Sequence, residues 1–287
     1  MKKQNNLLLQ NNKTVIVSVG DAITAKLIEE AGFDGVWVSG FEVSARLGLV
    51  DNGCITLTEM LHAAKTVVDA TDLPVVVDVD NGYGGIHNCV RTVREFEKIG
   101  CAAICIEDNI SPKCNSLWGD KIPLVSMEEH GAKIKAGKDA QKTKDFVIIA
   151  RTEALIRGYG MDEAIKRAEY YCESGADMVL IHSRELSGKE ALSIPKYWKS
   201  DVPLVIVPTK FPHVLNKELF DAGFSTIVFA NQTERVKIKA IRDALKIIKE
   251  HDSLLPIEKE LSATLDDMRN LTPIKETEEI ERKYNIQ

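Results

Sequence analysis

Eight short apolar segments recur along the chain, and most of them are followed by a stretch with helical spacing of apolar residues. The short segments are rich in Val and Ile and mostly continuous, which is typical of parallel strands buried on both faces. Eight strand–helix units in 287 residues predict an α/β fold, a (β/α)8 barrel of the TIM type. The predicted strands are residues 14–19, 35–39, 74–80, 102–107, 146–152, 177–182, 203–208 and 226–231.

Glycines and capping patterns support the helices between these strands. A glycine follows four of them, where a left-handed residue ends a helix at no steric cost. Thr56 with Glu59, and Ser126 with Glu129, have capping-box spacing at two helix starts. An open doubly wound sheet is the alternative, but no glycine-rich dinucleotide motif follows the first strand. The predicted helices are 21–31, 57–70, 89–99, 127–140, 161–174, 214–222 and 234–250.

The alternation of strands and helices ends near residue 253. Leu254-Leu255-Pro256 interrupts the last barrel helix, residues 257–268 again show helical spacing, and 276–284 are highly charged. No low-complexity linker divides the chain. We therefore expect one domain over 1–287, a barrel with C-terminal helices from about residue 253.

Charge and cysteine content exclude several classes of partner. The net charge of -6 argues against nucleic-acid binding, which needs a basic surface. No apolar run approaches the roughly 20 residues that span a bilayer, and the apolar piece at 7–9 is too short for a signal peptide. Six cysteines without metal-type spacing are typical of reduced thiols in the cytoplasm. We expect a cytoplasmic protein that binds a small molecule.

Polar and charged side chains follow the predicted strands, where barrel enzymes carry their active sites. A polar loop, with Lys113, Asn115 and Ser116, comes directly after the fourth strand. The groups at the strand ends themselves are Ser39, Gly40, Phe41, Asp78, Asp80, Glu107, Asp108, Arg151, His182, Thr209 and Asn231.

Three of these acids suggest a metal site. Asp78 and Asp80 are two residues apart on a predicted strand, so their side chains should leave on one face. Glu107, from the neighbouring strand, would join them. Three carboxylates repel one another unless a cation lies among them, and oxygen ligands favour Mg²⁺. The alternative is that these acids cap helices or face solvent.

Arg151 and His182 should lie on the other side of the barrel mouth. An arginine that ends a buried strand needs an anionic partner, whereas His182 could also be a core histidine. Metal on one side and cations on the other suit a small substrate with a carboxylate and a second anion such as phosphate. Trp37 is equally consistent with the core or with the pocket wall.

Several motifs together resemble the phosphoenolpyruvate mutase and isocitrate lyase superfamily. Residues 107–116, Glu-Asp-Asn-Ile-Ser-Pro-Lys-Cys-Asn-Ser, are similar to the mutase signature. The similarity extends over nearly the whole chain, in the same order and strand context. The other similar segments are 37–40, 44–48, 78–84 and 150–154.

This resemblance implies a Mg²⁺-dependent isomerase that interconverts phosphoenolpyruvate and 3-phosphonopyruvate, in phosphonate biosynthesis. It implies a homo-oligomer, dimer or tetramer, with C-terminal helices exchanged between subunits, and a closing loop at 109–117. Asp51 would be the nucleophile or phosphoryl holder. The implied ligands are Asp78, Asp80 and Glu107 for Mg²⁺, Trp37, Ser39, Gly40 and Phe41 for the pyruvate part, and Lys113, Asn115, Ser116, Arg151 and His182 for the phosphoryl group.

Two departures keep other activities open. The signature has lysine where this chain has Asn109, and Asn52-Gly53 is closer to the carbon–carbon lyases of the superfamily. A phosphonopyruvate hydrolase is the first alternative, although such enzymes typically have threonine in place of Asn115. A 2-methylisocitrate- or dimethylmalate-type lyase is the second, although Cys114 is not followed by the Gly-His of those enzymes. A barrel that only binds a metabolite is a third.

Overall fold

The eight predicted strands form a closed parallel barrel. The computed structural model describes residues 8, 13–116 and 122–285. Each strand pairs with the next one in sequence, and β8 pairs with β1. The predicted (β/α)8 fold is therefore confirmed. The strands are β1 Thr14–Val19, β2 Gly35–Val38, β3 Val75–Asp78, β4 Ala103–Glu107, β5 Val147–Thr152, β6 Met178–Ile181, β7 Leu204–Ile206 and β8 Thr226–Phe229.

Alternate residues of each strand enter different parts of the core. On β3, Val76 packs inside the barrel, whereas Val75 and Val77 pack with the helix residues outside it. This alternation follows from the two-residue period of a strand, and all strand faces are apolar because helices cover the barrel. Trp37, 2% exposed, belongs to the inner layer.

The helices of the barrel surround these strands. α3 begins with the capping box that Thr56 and Glu59 predict, and Ser126 accepts a hydrogen bond from Glu129 at the start of α5. The sequence analysis did not predict α2 or α7. The helices are α1 Ala22–Glu30, α2 Gly40–Arg46, α3 Leu57–Ala70, α4 Ile86–Ile99, α5 Met127–Ala140, α6 Met161–Glu173, α7 Lys189–Tyr197 and α8 Asn216–Ala222.

A glycine in the left-handed conformation ends the helix before the fourth strand. Gly100 ends α4 with φ of 94°, and its N–H donates to Glu97 O. A residue with a Cβ adopts this left-handed conformation only at a cost. The turn leads through Cys101 and Ala102 into β4, which ends at Glu107.

By its internal contacts the chain divides into two compact units, Met1–Thr233 and Glu234–Gln287. The described part of the second is helical, and the predicted helical stretch 257–268 is two short helices. Within these helices no residue is buried, and the expectation of a single domain stays a prediction. The helices are α9 Gln232–His251, which begins in the first unit, α10 Leu255–Glu260, α11 Leu265–Asn270 and α12 Ile274–Tyr284.

Two predictions about the whole chain can be compared with the described residues. No pair among the six cysteines, all of which lie in the described segments, forms a disulfide. A search of the described helices finds none that is both long enough and apolar enough to cross a bilayer.

Candidate active site

A cavity opens at the carboxyl ends of the strands. Most of the predicted site residues line it. The predicted site residues that are not part of the lining are Gly40, Asp80 and Glu107. The lining residues are Trp37, Ser39, Phe41, Asp51, Asp78, Lys113, Asn115, Ser116, Arg151, His182, Val207, Thr209, Ala230 and Asn231.

Asp78 and Asp80 lie close together, but not through the shared strand face that the sequence predicts. β3 ends at Asp78, two residues earlier than expected, so Asp78 and Asp80 do not share one strand face. Asp80 instead has a left-handed backbone with φ of 50°, a conformation that is uncommon for a residue with a side chain. Its N–H donates to Asp78 Oδ1 at 3.2 Å. A strained turn, and not strand alternation, holds the two acids together.

Lys113 joins acids from three parts of the barrel. Its Nζ lies 3.0 Å from Asp51 Oδ1, contacts Asp80 Oδ1, and lies 3.9 Å from Glu107 Oε1. Burial disfavours the ammonium, but these acids outweigh it and hold the pKa of Lys113 well above its usual value. Burial conversely raises the pKa of Glu107, against the influence of Lys113 and Arg151. The lysine is a buried counter-ion of the acid cluster.

The three predicted metal ligands do not form a cage by themselves. Among the described residues no group of three His, Cys, Asp or Glu side chains has the spacing to hold a metal. The donors nevertheless fit Mg²⁺, because all are carboxylates and Glu107 Oε2 is buried without a hydrogen-bond partner in the described part of the chain. Mg²⁺ usually keeps several waters and binds few carboxylates directly. Asp78, Asp80 and Glu107 therefore stay the predicted ligands.

Both oxygens of Asp51 are held by the loop after β4. Asn115 Nδ2 donates to Oδ2 at 2.5 Å, and Lys113 Nζ donates to Oδ1 at 3.0 Å. Gly53, in the loop that follows Asp51, has φ of 79°, a conformation that favours glycine. A Cβ there would be in ordinary contact with Lys113 N at 3.4 Å, so the two loops lie next to each other.

Arg151 reaches the acids and the opposite wall at once. Its Nη1 lies 3.6 Å from Asp78 Oδ2, and its Nε lies 3.5 Å from Glu107 Oε2. Its Nη2 donates to Ser116 Oγ at 2.8 Å and lies 2.9 Å from His182 Nδ1. Arg151 is the register partner of Glu107 on the neighbouring strand, so the predicted separation of acids and cations across the mouth is wrong for Arg151.

Asp108, the acid that follows Glu107, holds structural elements together and does not line the cavity. Asp108 is fully buried and accepts hydrogen bonds from Thr152 Oγ1 at 2.9 Å and Glu153 N at 2.8 Å. It also accepts from Arg167 Nη1 at 3.1 Å and from Tyr171 Oη at 2.8 Å. Asp108 thus fixes the end of β5 against the end of β4 and against α6.

The discordant residue Asn109 and the loop after β2 also contact the acids. Asn109 Nδ2 donates to Glu107 Oε1 at 2.9 Å. Ser39 caps α2, so the N–H groups of Gly40 and Phe41 lie in its first turn. A Cβ on Gly40 would lie 3.3 Å from Asp80 Oδ1 and 3.7 Å from Lys113 Nζ. The backbone of Gly40 therefore lies directly beside the ion pair of Asp80 and Lys113.

Sequence reasoning gave no role to part of the cavity wall. Val207, Thr209, Ala230 and Asn231 line it from the ends of β7 and β8. Their position after strands was the available signal for Thr209 and Asn231. Asn231 has φ of 71°, and its N–H donates to Ser18 Oγ at 2.7 Å. Cys114 is not part of the lining, and its carbonyl accepts from Arg157 Nη2 at 2.6 Å.

The chain matches a known family over most of its length. The family model described as phosphoenolpyruvate phosphomutase matches residues 5–249. A phosphoenolpyruvate phosphomutase of Tetrahymena pyriformis is 35% identical over 280 residues, 97% of this chain and 93% of that protein.

Enzymes with other activities are similarly related. A phosphonopyruvate hydrolase of Variovorax sp. (strain Pal2) is 36% identical over 255 residues, 86% of this chain and 88% of that protein. A 2,3-dimethylmalate lyase of Eubacterium barkeri is 36% identical over 285 residues, 96% of both. Identity alone therefore does not separate the three reactions.

Solved structures agree with the fold. A phosphoenolpyruvate phosphomutase from Streptomyces platensis subsp. rosaceus has a TM-score of 0.95 and 38% identity, with 96% of each chain covered. A phosphonopyruvate hydrolase in complex with oxalate and Mg²⁺ has a TM-score of 0.91 and 31% identity, with 97% of each chain covered. The chain therefore belongs to the phosphoenolpyruvate phosphomutase family of enzymes.

Proposed function

We propose that this enzyme interconverts phosphoenolpyruvate and 3-phosphonopyruvate with Mg²⁺, as a phosphomutase of phosphonate biosynthesis. The observation that carries the proposal is the environment of Asp51. Lys113 Nζ and Asn115 Nδ2 each hold one of its oxygens at 3.0 and 2.5 Å, and Arg151 and His182 line the same cavity. A carboxylate held in this way, with cations nearby, suits transfer of an anionic phosphoryl group.

The pyruvate part would lie near the ends of β2 and β3. Ser39 and the N–H groups of Gly40 and Phe41 would bind the substrate carboxylate, because the first N–H groups of a helix lack partners within it. Trp37 would form the apolar wall, since it is both part of the inner core and part of the cavity lining. Asp78, Asp80 and Glu107 would hold Mg²⁺, directly or through water. Bound Mg²⁺ would supply Lewis-acid stabilisation of the enolate oxygen.

The phosphoryl group would move between carbon and oxygen beside Asp51. Phosphoryl transfer through a loose transition state needs positioning and charge neutralisation more than covalent work. Asp51 would attack phosphorus or hold the fragment in transit, while Lys113, Ser116, Arg151 and His182 neutralise its oxygens. Ser116 and Arg151 already contact each other at 2.8 Å, which supports a shared role.

Exclusion of water would decide between transfer and hydrolysis. Asn115 donates to Asp51, so its amide lies where water would approach the transferred group. The predicted lid, 109–117, includes this residue. Residues 109–116 of the lid are described, while Leu117 lies outside the described residues. A closed lid would keep water from the fragment.

Phosphonopyruvate hydrolase is the second candidate. The related hydrolase of Variovorax supports it, since its 36% identity to this chain is close to the 35% of the Tetrahymena mutase. Asn115 argues for the mutase, because a hydrolase needs space for an attacking water where this amide contacts Asp51. A carbon–carbon lyase is less well supported, because the lyase acid would be Cys114 and that residue does not line the cavity.

A substrate panel tests the proposal. Purified enzyme with Mg²⁺ is offered 3-phosphonopyruvate, 2,3-dimethylmalate and 2-methylisocitrate, and products are followed by ³¹P and ¹H NMR. We expect turnover of 3-phosphonopyruvate alone, and none by Asp51→Asn, which keeps the size of the side chain. Turnover of a branched acid without that of 3-phosphonopyruvate would refute the mutase. No turnover of any substrate with Mg²⁺ would favour a barrel that only binds a metabolite.

We further propose a cytoplasmic homo-oligomer, dimer or tetramer, with exchanged C-terminal helices. Large apolar side chains are exposed along α9 and the helices that follow, including Val236, Ile241, Leu245 and Leu265. Exposed apolar groups in such number commonly mark a protein interface. Their burial against a second copy would remove this surface from water.

A further inference from the structure

Glu153 is a buried carboxylate next to two residues of the proposed phosphoryl site. Its residue is fully buried, and its Oε1 accepts from Arg151 Nε at 2.5 Å. The same oxygen lies 3.1 Å from His182 Nδ1. Its Oε2 is buried without a hydrogen-bond partner among the described residues. Because Asp108 holds Glu153 N at 2.8 Å, the carboxylate is fixed in place from its backbone.

His182 Nδ1 lies between a group that can only donate and a group that can only accept. Arg151 Nη2 is 2.9 Å from Nδ1, and Glu153 Oε1 is 3.1 Å from it. A guanidinium is always a donor, and an ionised carboxylate is always an acceptor. Nδ1 without a proton accepts from Arg151, whereas Nδ1 with a proton donates to Glu153. The nitrogen can satisfy only one of these neighbours at a time.

The charges around the ring favour the first arrangement in the absence of an anion. Burial and Arg151 lower the pKa of His182. Burial opposes ionisation of Glu153, but Arg151 and His182 outweigh it and hold its pKa well below its usual range. Asp78 is a further charged group that acts on the ring, and it raises the pKa of His182. Ser116, Val207 and Thr209, which line the same cavity, carry no charge.

We propose that Glu153 is a positioning residue that allows His182 to carry protons on both ring nitrogens when an anion binds beside Arg151. The bound anion takes the Nη2 donor of Arg151 and so releases Nδ1. One proton from solvent then enters the ring: Nδ1–H donates to Glu153, and Nε2–H donates to the anion. No covalent bond other than this N–H is made or broken. The inference rests on the proposed function in one respect, the binding of an anionic group beside Arg151.

NMR of the ring nitrogens of His182 tests this without turnover. Enzyme labelled with ¹⁵N-histidine is compared at pH 7, with Mg²⁺, before and after saturation with sulfate, a tetrahedral dianion that exchanges no proton at this pH. His182→Gln assigns the signal. We expect a neutral ring without sulfate and an imidazolium with it. This change requires that the bound anion raises the pKa of His182, as expected when the charge of the neighbouring Arg151 is neutralised.

Substitutions of Glu153 separate positioning from a merely structural role. In Glu153→Gln, which has the same shape without the charge, we expect His182 to stay neutral at pH 7 with sulfate. Glu153→Asp, which keeps the charge, should restore part of the imidazolium signal. Glu97→Gln is the matched control, since Glu97 accepts from Lys142 N and Thr143 N away from the cavity, and it should behave as the wild type.

Each outcome decides the inference. A wild-type ring that stays neutral with bound sulfate overturns it, and so does an imidazolium that forms equally well in Glu153→Gln. Absence of sulfate binding near His182 overturns it as well, because the site then takes no such anion. An imidazolium that needs Glu153, in an enzyme that does not isomerise 3-phosphonopyruvate, refutes the proposed function and leaves this inference standing.

Discussion

At the scale of single residues, Asn115 gives the most informative test of the proposed choice between transfer and hydrolysis. Its amide contacts Asp51 Oδ2 at 2.5 Å. Threonine is shorter and removes this donor, so water gains access to the group on Asp51. In Asn115→Thr we expect the share of 3-phosphonopyruvate that ends as phosphate to rise, as ³¹P NMR measures. A product ratio equal to that of the wild type would refute the role of Asn115 in excluding water.

Gly40 offers a second test, because its missing side chain leaves room for the ion cluster. In Gly40→Ala the new Cβ would lie 3.3 Å from Asp80 Oδ1. Alanine is favoured over glycine within a helix by roughly 0.5–1 kcal/mol, so the fold should be retained. We expect kcat/KM to fall about tenfold or more, which corresponds to about 1.4 kcal/mol, with an equal or higher Tm.

Gly85→Ala is the control for this substitution. Nothing lies within 4 Å of a Cβ at Gly85, which caps α4 outside the cavity lining. We expect its turnover to match that of the wild type. If Gly40→Ala and Gly85→Ala have the same kcat/KM, the close approach of Gly40 to the cluster has no consequence for activity.

The sequence predicted which residues gather at this site but not how they pair. Strand-end positions predicted Arg151 and His182, and the family resemblance implied Asp51; all three line one cavity. The contact of Lys113 with Asp51 and Asp80 depends on long-range loop packing that no local pattern encodes. Strand alternation puts Glu153 on the same side as Arg151, but its contact with His182 depends on the pairing of two strand ends, which no local pattern encodes.

At the scale of elements, a buried histidine packs one helix against the next. His130 on α5 is fully buried, and its ring packs against that of Tyr171 on α6 at 4.5 Å. Burial, with Lys133 and Arg167, lowers the pKa of His130 to about 3. The unfolded chain therefore binds a proton near pH 6.5 that the folded chain does not bind.

This difference predicts a pH dependence of stability. A lowered folded-state pKa contributes stability that is complete above about pH 6.5 and is lost as the pH falls below it. Between pH 7.5 and 5.5, His130 should lower the free energy of unfolding by about 1.4 kcal/mol. His130→Leu should lack this contribution in urea denaturation at both pH values. If the free energy of unfolding changed equally with pH in the wild type and in His130→Leu, the predicted contribution of His130 would be refuted.

Strands were easier to predict than short helices. Each predicted strand is present with bounds within two residues, because continuous apolar runs are typical of a parallel barrel. The helix α2, Gly40–Arg46, was not predicted, since its seven residues hold too few apolar positions for a clear period. α7 was missed, and it contains Pro195, which lowers helix propensity.

At the scale of the whole molecule, the proposed oligomer has a direct test. Ile241 and Leu245 are exposed on α9, at 59% and 61%, and lie four residues apart on one helical face. In the double variant Ile241→Glu and Leu245→Glu, we expect the mass in analytical ultracentrifugation to fall to a smaller species. The buried charges would cost more than the lost apolar contact alone.

Two other results would refute this interface. A wild-type protein with the mass of one chain would exclude the oligomer. A double variant with the mass of the wild-type oligomer would exclude α9 as its interface. The sequence resemblance implied the oligomer, whereas the exposed apolar side chains give the physical reason to expect it.

The central claim is that the phosphoryl group stays on the pyruvate skeleton. The most direct test is a ³¹P NMR time course of wild-type enzyme with 3-phosphonopyruvate and Mg²⁺, in which the initial rates of phosphoenolpyruvate formation and phosphate release are compared. We expect phosphoenolpyruvate as the main first product, since Lys113 and Asn115 donate to both oxygens of Asp51 and their loop is proposed to exclude water. Phosphate and pyruvate without phosphoenolpyruvate would contradict the account.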